Sequence, residues 1–138
     1  MRRNTFVLSN CIQIPKIGLG TYQMSGVQCK EAVTAALNAG YRHIDTAIYY
    51  SNHKNVAEAI RNYSREELFI TSKIPPYKQG YENAMKATLD SLKELNTDYL
   101  DLMLIHWPGV AGYDPNDPGQ VNERHGTWLW KIYTIRVN

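Results

Sequence analysis

Short apolar runs alternate along the chain with segments in which apolar residues recur every three or four positions. The apolar runs predict strands at residues 17–20, 41–45, 68–73 and 99–106. The recurring pattern is that of one helix face and predicts helices over residues 28–39, 55–61 and 81–95. Residues 5–14 read as two short strands around Ser9 and Asn10, which indicates a β-hairpin. The alternation after the hairpin predicts an α/β fold with a parallel sheet.

Each predicted helix carries apolar residues on one face, which we expect to pack against the sheet. These residues are Ala32, Val33, Ala36 and Leu37 in the first helix, Val56, Ala57 and Ile60 in the second, and Met85, Leu89 and Leu92 in the third. From Gly109 the composition of the sequence changes: a segment rich in glycine, proline and asparagine predicts a loop, and an apolar tail follows it. The tail fits neither a helix nor a strand period throughout, and both alternatives stay open.

Composition narrows the class of protein. The 138 residues suit one domain, with 43% hydrophobic and 20% charged residues. The net charge of +2 comes from scattered residues without a basic block, so nucleic-acid binding is not expected. The longest apolar run, Leu102–Ile105, has four residues, whereas a membrane helix needs about 20. Cys11 and Cys29 form no CxxC pair and favour the cytoplasm, and the histidine spacing predicts no metal site.

Three ionisable residues end three of the predicted strands. Asp45, Lys73 and His106 each follow an apolar strand body, roughly one βα unit apart. Parallel sheets place their chemistry at the carboxyl ends of the strands, so we expect these side chains to meet. Each also has a structural alternative: Asp45 as a helix cap or turn residue, Lys73 as a surface lysine, and His106 as a hydrogen-bonded structural histidine.

Together with a tyrosine, these residue types suit one kind of chemistry. An ammonium beside a phenol favours the phenolate, and a carboxylate beside the ammonium keeps it charged and oriented. A histidine at the next strand end can hydrogen-bond a substrate oxygen. Such a set is a general acid for a developing alkoxide, as carbonyl reduction requires. Gly18 and Gly20 do not make a dinucleotide fingerprint, because Gln23 stands where a third glycine would be.

Four stretches of the sequence resemble the aldo-keto reductase family, in the order and at the spacing of that family. They are residues 17–22 (IGLGTY), 40–52 (GYRHIDTAIYYSN), 68–73 (LFITSK) and 99–108 (YLDLMLIHWP). The resemblance covers residues 5–109, whereas residues 110–138 diverge. Members of the family are complete (β/α)8 barrels. The resemblance therefore implies one domain that is the first half of a (β/α)8 TIM barrel with an N-terminal hairpin, truncated after the fourth strand.

The resemblance also implies an activity, a cofactor and a site. The activity is reduction of a small aldehyde or ketone to the alcohol by hydride transfer from NADPH, or from NADH. The implied catalytic residues are Asp45, Tyr50, Lys73 and His106, with Tyr50 as the general acid. The implied cofactor-binding residues are Gly20, Thr21, Tyr22 and Asp45. The implied substrate-binding residues are Tyr22, Tyr50, His106 and Trp107.

The sequence departs from the family in ways that keep an alternative open. His53 stands where the family usually has glutamate. The family's later strands, which hold the nicotinamide amide and the adenosine phosphate, have no counterpart in these residues. We therefore expect weak NADPH binding and association with a second copy or a partner that covers the open barrel edges. The alternative function is that of a catalytically inactive half-barrel or an interaction subunit.

Overall fold

A computed structural model of the protein describes residues 4–107, in which six strands and three α-helices follow one another. In chain order they are β1 (Thr5–Val7), β2 (Gln13–Pro15), β3 (Leu19–Gly20), α1 (Gly26–Asn38), β4 (His43–Asp45), α2 (His53–Ile60), β5 (Phe69–Ile74), α3 (Tyr81–Leu95) and β6 (Leu102–Ile105). The element order agrees with the predicted one. The loop and tail predicted beyond Gly109 lie outside the described residues.

The hairpin is formed by β1 and β2, which pair antiparallel with Phe6 opposite Ile14. Its turn is closed by a hydrogen bond from the Leu8 amide to the Ile12 carbonyl oxygen at 2.8 Å. Cys11 takes a left-handed backbone conformation with φ of 66° in that turn. The predicted hairpin is therefore confirmed.

The remaining four strands form one parallel sheet in the order β3-β4-β5-β6. Gly20 pairs with Asp45, Asp45 with Thr71, and Lys73 with Leu104, so the carboxyl ends of the strands lie side by side. Consecutive parallel strands joined through helices are the repeating unit of a βα barrel. This register places the ends of β4, β5 and β6 at one edge of the molecule.

The hydrophobic core lies between the sheet and the three helices. Because side chains alternate across a strand, Ile44 and Ile70 face this core. The opposite face carries His43, which bonds the Thr71 hydroxyl at 3.0 Å and packs its ring edge-on against Phe69. The core residues, all buried, are Cys29, Val33, Leu37, Ile44, Val56, Ala59, Ile60, Leu68, Ile70, Leu92, Leu95 and Leu100. No helix within residues 4–107 is long and apolar enough to cross a membrane.

The helix faces differ in part from the prediction. In α3, Leu89 is 50% exposed, whereas the predicted Leu92 is buried, together with Leu95 and with small residues such as Ala84 and Thr88. The Thr88 hydroxyl donates to the Ala84 carbonyl oxygen at 2.8 Å, so its burial leaves no unsatisfied group. In α2 the buried alanine is Ala59 rather than the predicted Ala57.

The last strand is shorter than predicted, because it starts at Leu102 rather than at Tyr99. The chain before it is held by a backbone bond from the Asp101 amide to the Ile70 carbonyl oxygen at 3.1 Å and by the side chain of Arg65. Arg65 donates to the Tyr99 carbonyl oxygen at 2.9 Å and to the Asp101 carboxylate at 2.7 Å, and its guanidinium lies 3.9 Å from the Tyr99 ring centre. Asp101 also accepts the Ile70 amide at 2.8 Å. These bonds set the entry of β6 beside β5.

Candidate functional site

The four residues of the predicted catalytic set lie together beyond the carboxyl ends of the strands. Asp45 is the last residue of β4, Lys73 is the last but one of β5, and His106 directly follows β6. Tyr50 ends a short 3-10 turn, Ile48–Tyr50, that follows β4. The His106 amide donates to the Ile74 carbonyl oxygen at 2.9 Å, which extends the ladder and fixes the start of the next loop.

Lys73 is the centre of this set. Its ammonium group donates to the Asp45 carboxylate, to the Thr46 carbonyl oxygen at 3.0 Å and to the Tyr50 hydroxyl at 3.2 Å. Its side chain is 13% exposed, and that of Asp45 is 34% exposed. An ammonium has three N–H donors, so these three acceptors account for all of them. The lysine is therefore neither free nor at the surface, which excludes the surface alternative for Lys73.

The backbone places Tyr50 by a turn that the local sequence forms. The Tyr50 amide donates to the Ala47 carbonyl oxygen at 3.0 Å, and the Ser51 amide to the Ile48 carbonyl oxygen at 3.1 Å. Ser51 then reverses the chain in a left-handed conformation with φ of 54°. The hydroxyl of Tyr50 consequently points back over the strand ends, where it lies 3.5 Å from Nε2 of His106.

The imidazole of His106 is held in an environment that disfavours its charged form. Burial lowers the pKa of His106 from its ordinary value of 6.5, the nearby Lys73 ammonium lowers it further, and the Asp45 carboxylate partly opposes both. His106 is therefore neutral near pH 7. Its Nδ1 atom is buried and has no hydrogen-bond partner among the described residues, whereas Nε2 faces the Tyr50 hydroxyl.

Aromatic side chains pack against the rings of Tyr50 and His106. The Tyr22 ring lies 5.2 Å from the Tyr50 ring, and the Trp107 ring lies 4.4 Å from the His106 ring. Tyr49, to which the sequence assigned no role, packs edge-on against both His106 and Trp107, with ring centres 6.0 and 5.5 Å away. The paired tyrosines 49 and 50 were the signal for it. Tyr49, Tyr22 and Trp107 remain 52%, 59% and 41% exposed, so they form an open aromatic wall.

Of the residues predicted to bind a cofactor, some are open to solvent and one is buried behind the site. Gly20 and Tyr22 face open space, with nothing within 4 Å of the position that a Gly20 Cβ would take. Thr21 is fully buried, its amide donates to the Asp45 carbonyl oxygen at 2.9 Å, and its hydroxyl bonds the same oxygen at 3.3 Å. The Thr21 side chain thus supports the site from behind.

Two buried polar residues behind the site were not predicted to have a role. Asn52 is fully buried, and its amide bonds residues on two loops. His53 bridges Glu94 at 3.2 Å and Ser72 at 3.1 Å, with one ring nitrogen to each. Burial lowers the pKa of His53, and the Glu94 carboxylate partly opposes that effect. The only sequence signal was the presence of histidine where glutamate is usual.

The fold and the site define a βα-barrel protein whose polar cluster stands at the carboxyl ends of its strands. A family model described as the aldo/keto reductase family matches residues 16–118. Because that match covers more than half of the chain, the chain belongs to the aldo/keto reductase family. The predicted family and the predicted half-barrel fold are confirmed.

Two curated relatives and two solved structures give the scale of the similarity. Glyoxal reductase from Bacillus subtilis (strain 168) is 46% identical over 114 residues, covering 80% of this chain and 41% of that protein. Methylglyoxal reductase DkgA from Escherichia coli (strain K12) is 46% identical over 100 residues, covering 71% and 36%. An aldo/keto reductase from Brucella melitensis has a TM-score of 0.77 at 40% identity, covering 96% of this chain and 50% of that one. An aldo-keto reductase complexed with NADPH has a TM-score of 0.74 at 28% identity, covering 93% and 44%. The chain thus spans half or less of each.

Proposed function

We propose that this chain carries the acid-catalytic half of a carbonyl reductase that takes its hydride from NADPH or NADH. The observation that carries the proposal is the position of the Lys73 ammonium, which donates to both the Asp45 carboxylate and the Tyr50 hydroxyl. A phenol held between an ammonium and an imidazole is suited to donate a proton to a developing alkoxide. Residues 1–138 would form a single partial barrel domain.

Residues on one side of the site fit a nicotinamide cofactor. Gly20 offers an uncovered backbone at a strand end, which suits close approach by a flat group. The Asp45 carboxylate is partly exposed and has an oxygen left to accept a ribose hydroxyl. Tyr22 is exposed beside them. Gly20, Tyr22 and Asp45 would hold the cofactor, which supplies a hydride when bound.

The chain's own residues would handle the proton. Tyr50 gives its hydroxyl proton to the carbonyl oxygen, which becomes the alcohol oxygen, and the phenolate left behind is stabilised by Lys73. His106 orients the carbonyl: as a neutral imidazole with its proton on Nε2, it presents an N–H donor beside the Tyr50 hydroxyl. Asp45 keeps the ammonium in place through its ion pair.

The substrate class follows from the wall around the acid. Tyr22, Tyr49 and Trp107 are aromatic and open to solvent, so they suit a small aldehyde or ketone with an apolar substituent. The printed names of two relatives, glyoxal reductase and methylglyoxal reductase, support a small carbonyl substrate. The unpaired cysteines, Cys11 and Cys29, support a cytoplasmic location for such an enzyme.

We expect the 138-residue chain to bind NADPH weakly by itself. The contacts to the adenosine phosphate and to the second face of the nicotinamide lie in the part of the family that this chain does not span. Hydrogen bonds to charged groups contribute about 1.5–3 kcal/mol each. Loss of two or three of them would move a micromolar complex to about the millimolar range.

The second candidate is a half-barrel that associates with another chain. It is favoured by the sheet, because β3 and β6 are the outer strands of the described four and each presents an unpaired edge. The partner would be a second copy or a protein that completes the barrel. In that case the acid cluster would act only in the complex, or would have no catalytic role.

The experiment that decides between these candidates is an assay of NADPH oxidation by the purified chain with glyoxal or methylglyoxal. Carbonyl-dependent oxidation that is lost in a Lys73→Met variant supports the reductase. Oxidation that persists in that variant comes from a contaminant and contradicts it. If the native chain does not oxidise NADPH, the second candidate is favoured for this chain.

A further inference from the structure

The loop that carries Tyr22 is a tight turn in an unfavourable conformation. The Met24 amide donates to the Thr21 carbonyl oxygen at 3.2 Å, which closes a four-residue β-turn. Gln23, the third residue of the turn, has φ of 61°. That position favours glycine or asparagine, and a glutamine there is disfavoured by contact of its Cβ with the backbone. Something outside the turn must therefore hold it in this shape.

The side chain of Asn52, which lies outside the turn, holds it through two hydrogen bonds. Its Nδ2 donates to the Thr21 carbonyl oxygen at 2.9 Å and to the Met24 carbonyl oxygen at 3.0 Å, on either side of Gln23. Its Oδ1 accepts the Thr46 hydroxyl at 2.9 Å. Both amide hydrogens and the oxygen are thus used, and Asn52 is fully buried.

Asn52 also ends the segment that carries Asp45 and Tyr50, two of the four residues of the proposed catalytic set. Thr46, whose hydroxyl Asn52 accepts, gives its carbonyl oxygen to Lys73, and Tyr50 stands two residues before Asn52. The turn that Asn52 holds presents Tyr22, whose ring lies 5.2 Å from the Tyr50 ring although it is 59% exposed. Because the Tyr22 side chain is mostly exposed, burial does not fix the position of its ring. The shape of the turn that carries Tyr22 sets that position instead.

We propose that Asn52 is a positioning residue: by bonding the carbonyl groups of the first and last residues of the turn, Thr21 and Met24, it holds the strained turn and so keeps Tyr22 over Tyr50. Its importance for catalysis rests on the proposed function, whereas the coupling of the two loops does not. In an active form of the enzyme, release of the turn would raise KM for the carbonyl substrate more than it lowers kcat.

The test compares Asn52→Asp with Asn62→Asp, which makes the same change at an exposed position. Asn52→Asp keeps the acceptor for Thr46 and replaces the two N–H donors by an oxygen facing two carbonyl groups. We expect amide hydrogen exchange at Met24 to accelerate at least about tenfold, and the nuclear Overhauser contact between the Tyr22 and Tyr50 rings to be lost. Exchange at the Ile70 amide should be unchanged in Asn52→Asp. In Asn62→Asp, both Met24 exchange and the ring contact should match those of the native chain.

A second substitution addresses the strain. Gln23→Gly removes the Cβ that the turn disfavours, so in the Asn52→Asp background it should restore the ring contact and most of the Met24 protection. If Asn52→Asp does not fold, Gln23→Gly alone decides, because it should slow exchange at Met24 several-fold. Unchanged Met24 exchange in Asn52→Asp, or faster exchange in Gln23→Gly, would overturn the proposal. Neither the hydrogen exchange nor the Overhauser measurement needs turnover. A negative result in the reductase assay therefore does not affect this test.

Discussion

The ammonium nitrogen of Lys73 lies 3.2 Å from the hydroxyl oxygen of Tyr50, and the two residues reach each other from different βα units. Lys73 belongs to β5, whereas Tyr50 follows β4 through a short turn. The ammonium also lies 4.9 Å from the centre of the Tyr50 ring. An ammonium can only donate, so the phenolic oxygen accepts from it and its own proton stays free for a substrate.

From this relationship we predict the effect of Tyr50→Phe. Removing the hydroxyl should lower turnover by about 10²–10⁴-fold, because a positioned general acid contributes that much, while the affinity for NADPH stays unchanged. The measurement is steady-state kinetics beside fluorescence titration of the cofactor, in whatever form of the protein is active. Tyr63→Phe is the matched control, since the Tyr63 hydroxyl bonds Asn38 away from the site. Turnover that survives in Tyr50→Phe would remove Tyr50 from the acid role.

A second prediction concerns the two glycines at β3, Gly18 just before the strand and Gly20 at its end. A Cβ at Gly18 would stand 2.7 Å from Nδ1 of His43, whose ring is bonded to Thr71 and packed on Phe69 and therefore cannot yield easily. Gly18→Ala should lower the free energy of unfolding by about 1–3 kcal/mol. Urea denaturation followed by circular dichroism measures it.

Gly20→Ala is the control for that substitution, because nothing lies within 4 Å of its added Cβ. It should unfold at nearly the urea concentration of the native chain. If the two variants lose equal stability, the close approach at Gly18 is not the cause. A Gly20→Ala protein that folds normally but binds NADPH more weakly would support the cofactor position proposed at Gly20.

The third prediction is that stability falls as the pH is lowered through the histidine range. Burial lowers the pKa values of His43, His53 and His106 in the folded chain, whereas unfolding restores the ordinary value of 6.5. Above that value neither state takes up protons at these groups. As the pH falls below 6.5 the unfolded state binds more protons, so the free energy of unfolding decreases until the lowered pKa values are passed.

Urea titrations between about pH 7.5 and 5, above the range of ordinary carboxylates, measure this effect. A His53→Gln variant should show a shallower decrease, because one of the buried histidines is gone, while Lys54→Gln should show the native slope. Stability that rises as the pH falls over this interval would contradict the lowered pKa values.

The fourth prediction concerns assembly of the purified chain. The outer strands β3 and β6 have unpaired edges among the described residues, and exposed edges promote association. We expect a dimer or larger species by size-exclusion chromatography with light scattering, in which two copies close a ring edge to edge or cover each other's sheet face. A monodisperse monomer with a cooperative thermal transition would contradict this expectation.

Much of the architecture could be predicted because it depends on local pattern. Residues 81–95 were predicted as a helix, and α3 has those bounds. The hairpin and the four strands were also predicted in order, since apolar periodicity reports directly which segments extend and which coil. The meeting of Asp45, Lys73 and His106 was predictable for a topological reason: parallel strands bring their carboxyl ends to one edge.

Only the tertiary structure decided which side chains are buried and what they bond. Leu89 continues the apolar period of α3 yet is half exposed, because the buried face of that helix is centred on Ala84, Thr88 and Leu95 instead. The polar Asn52 is fully buried because its partners come from residue 21 and residue 46 at once. A periodic pattern records the preference of each residue for water or core. It does not record a hydrogen bond between residues far apart in the chain, which exists only once the fold has brought them together.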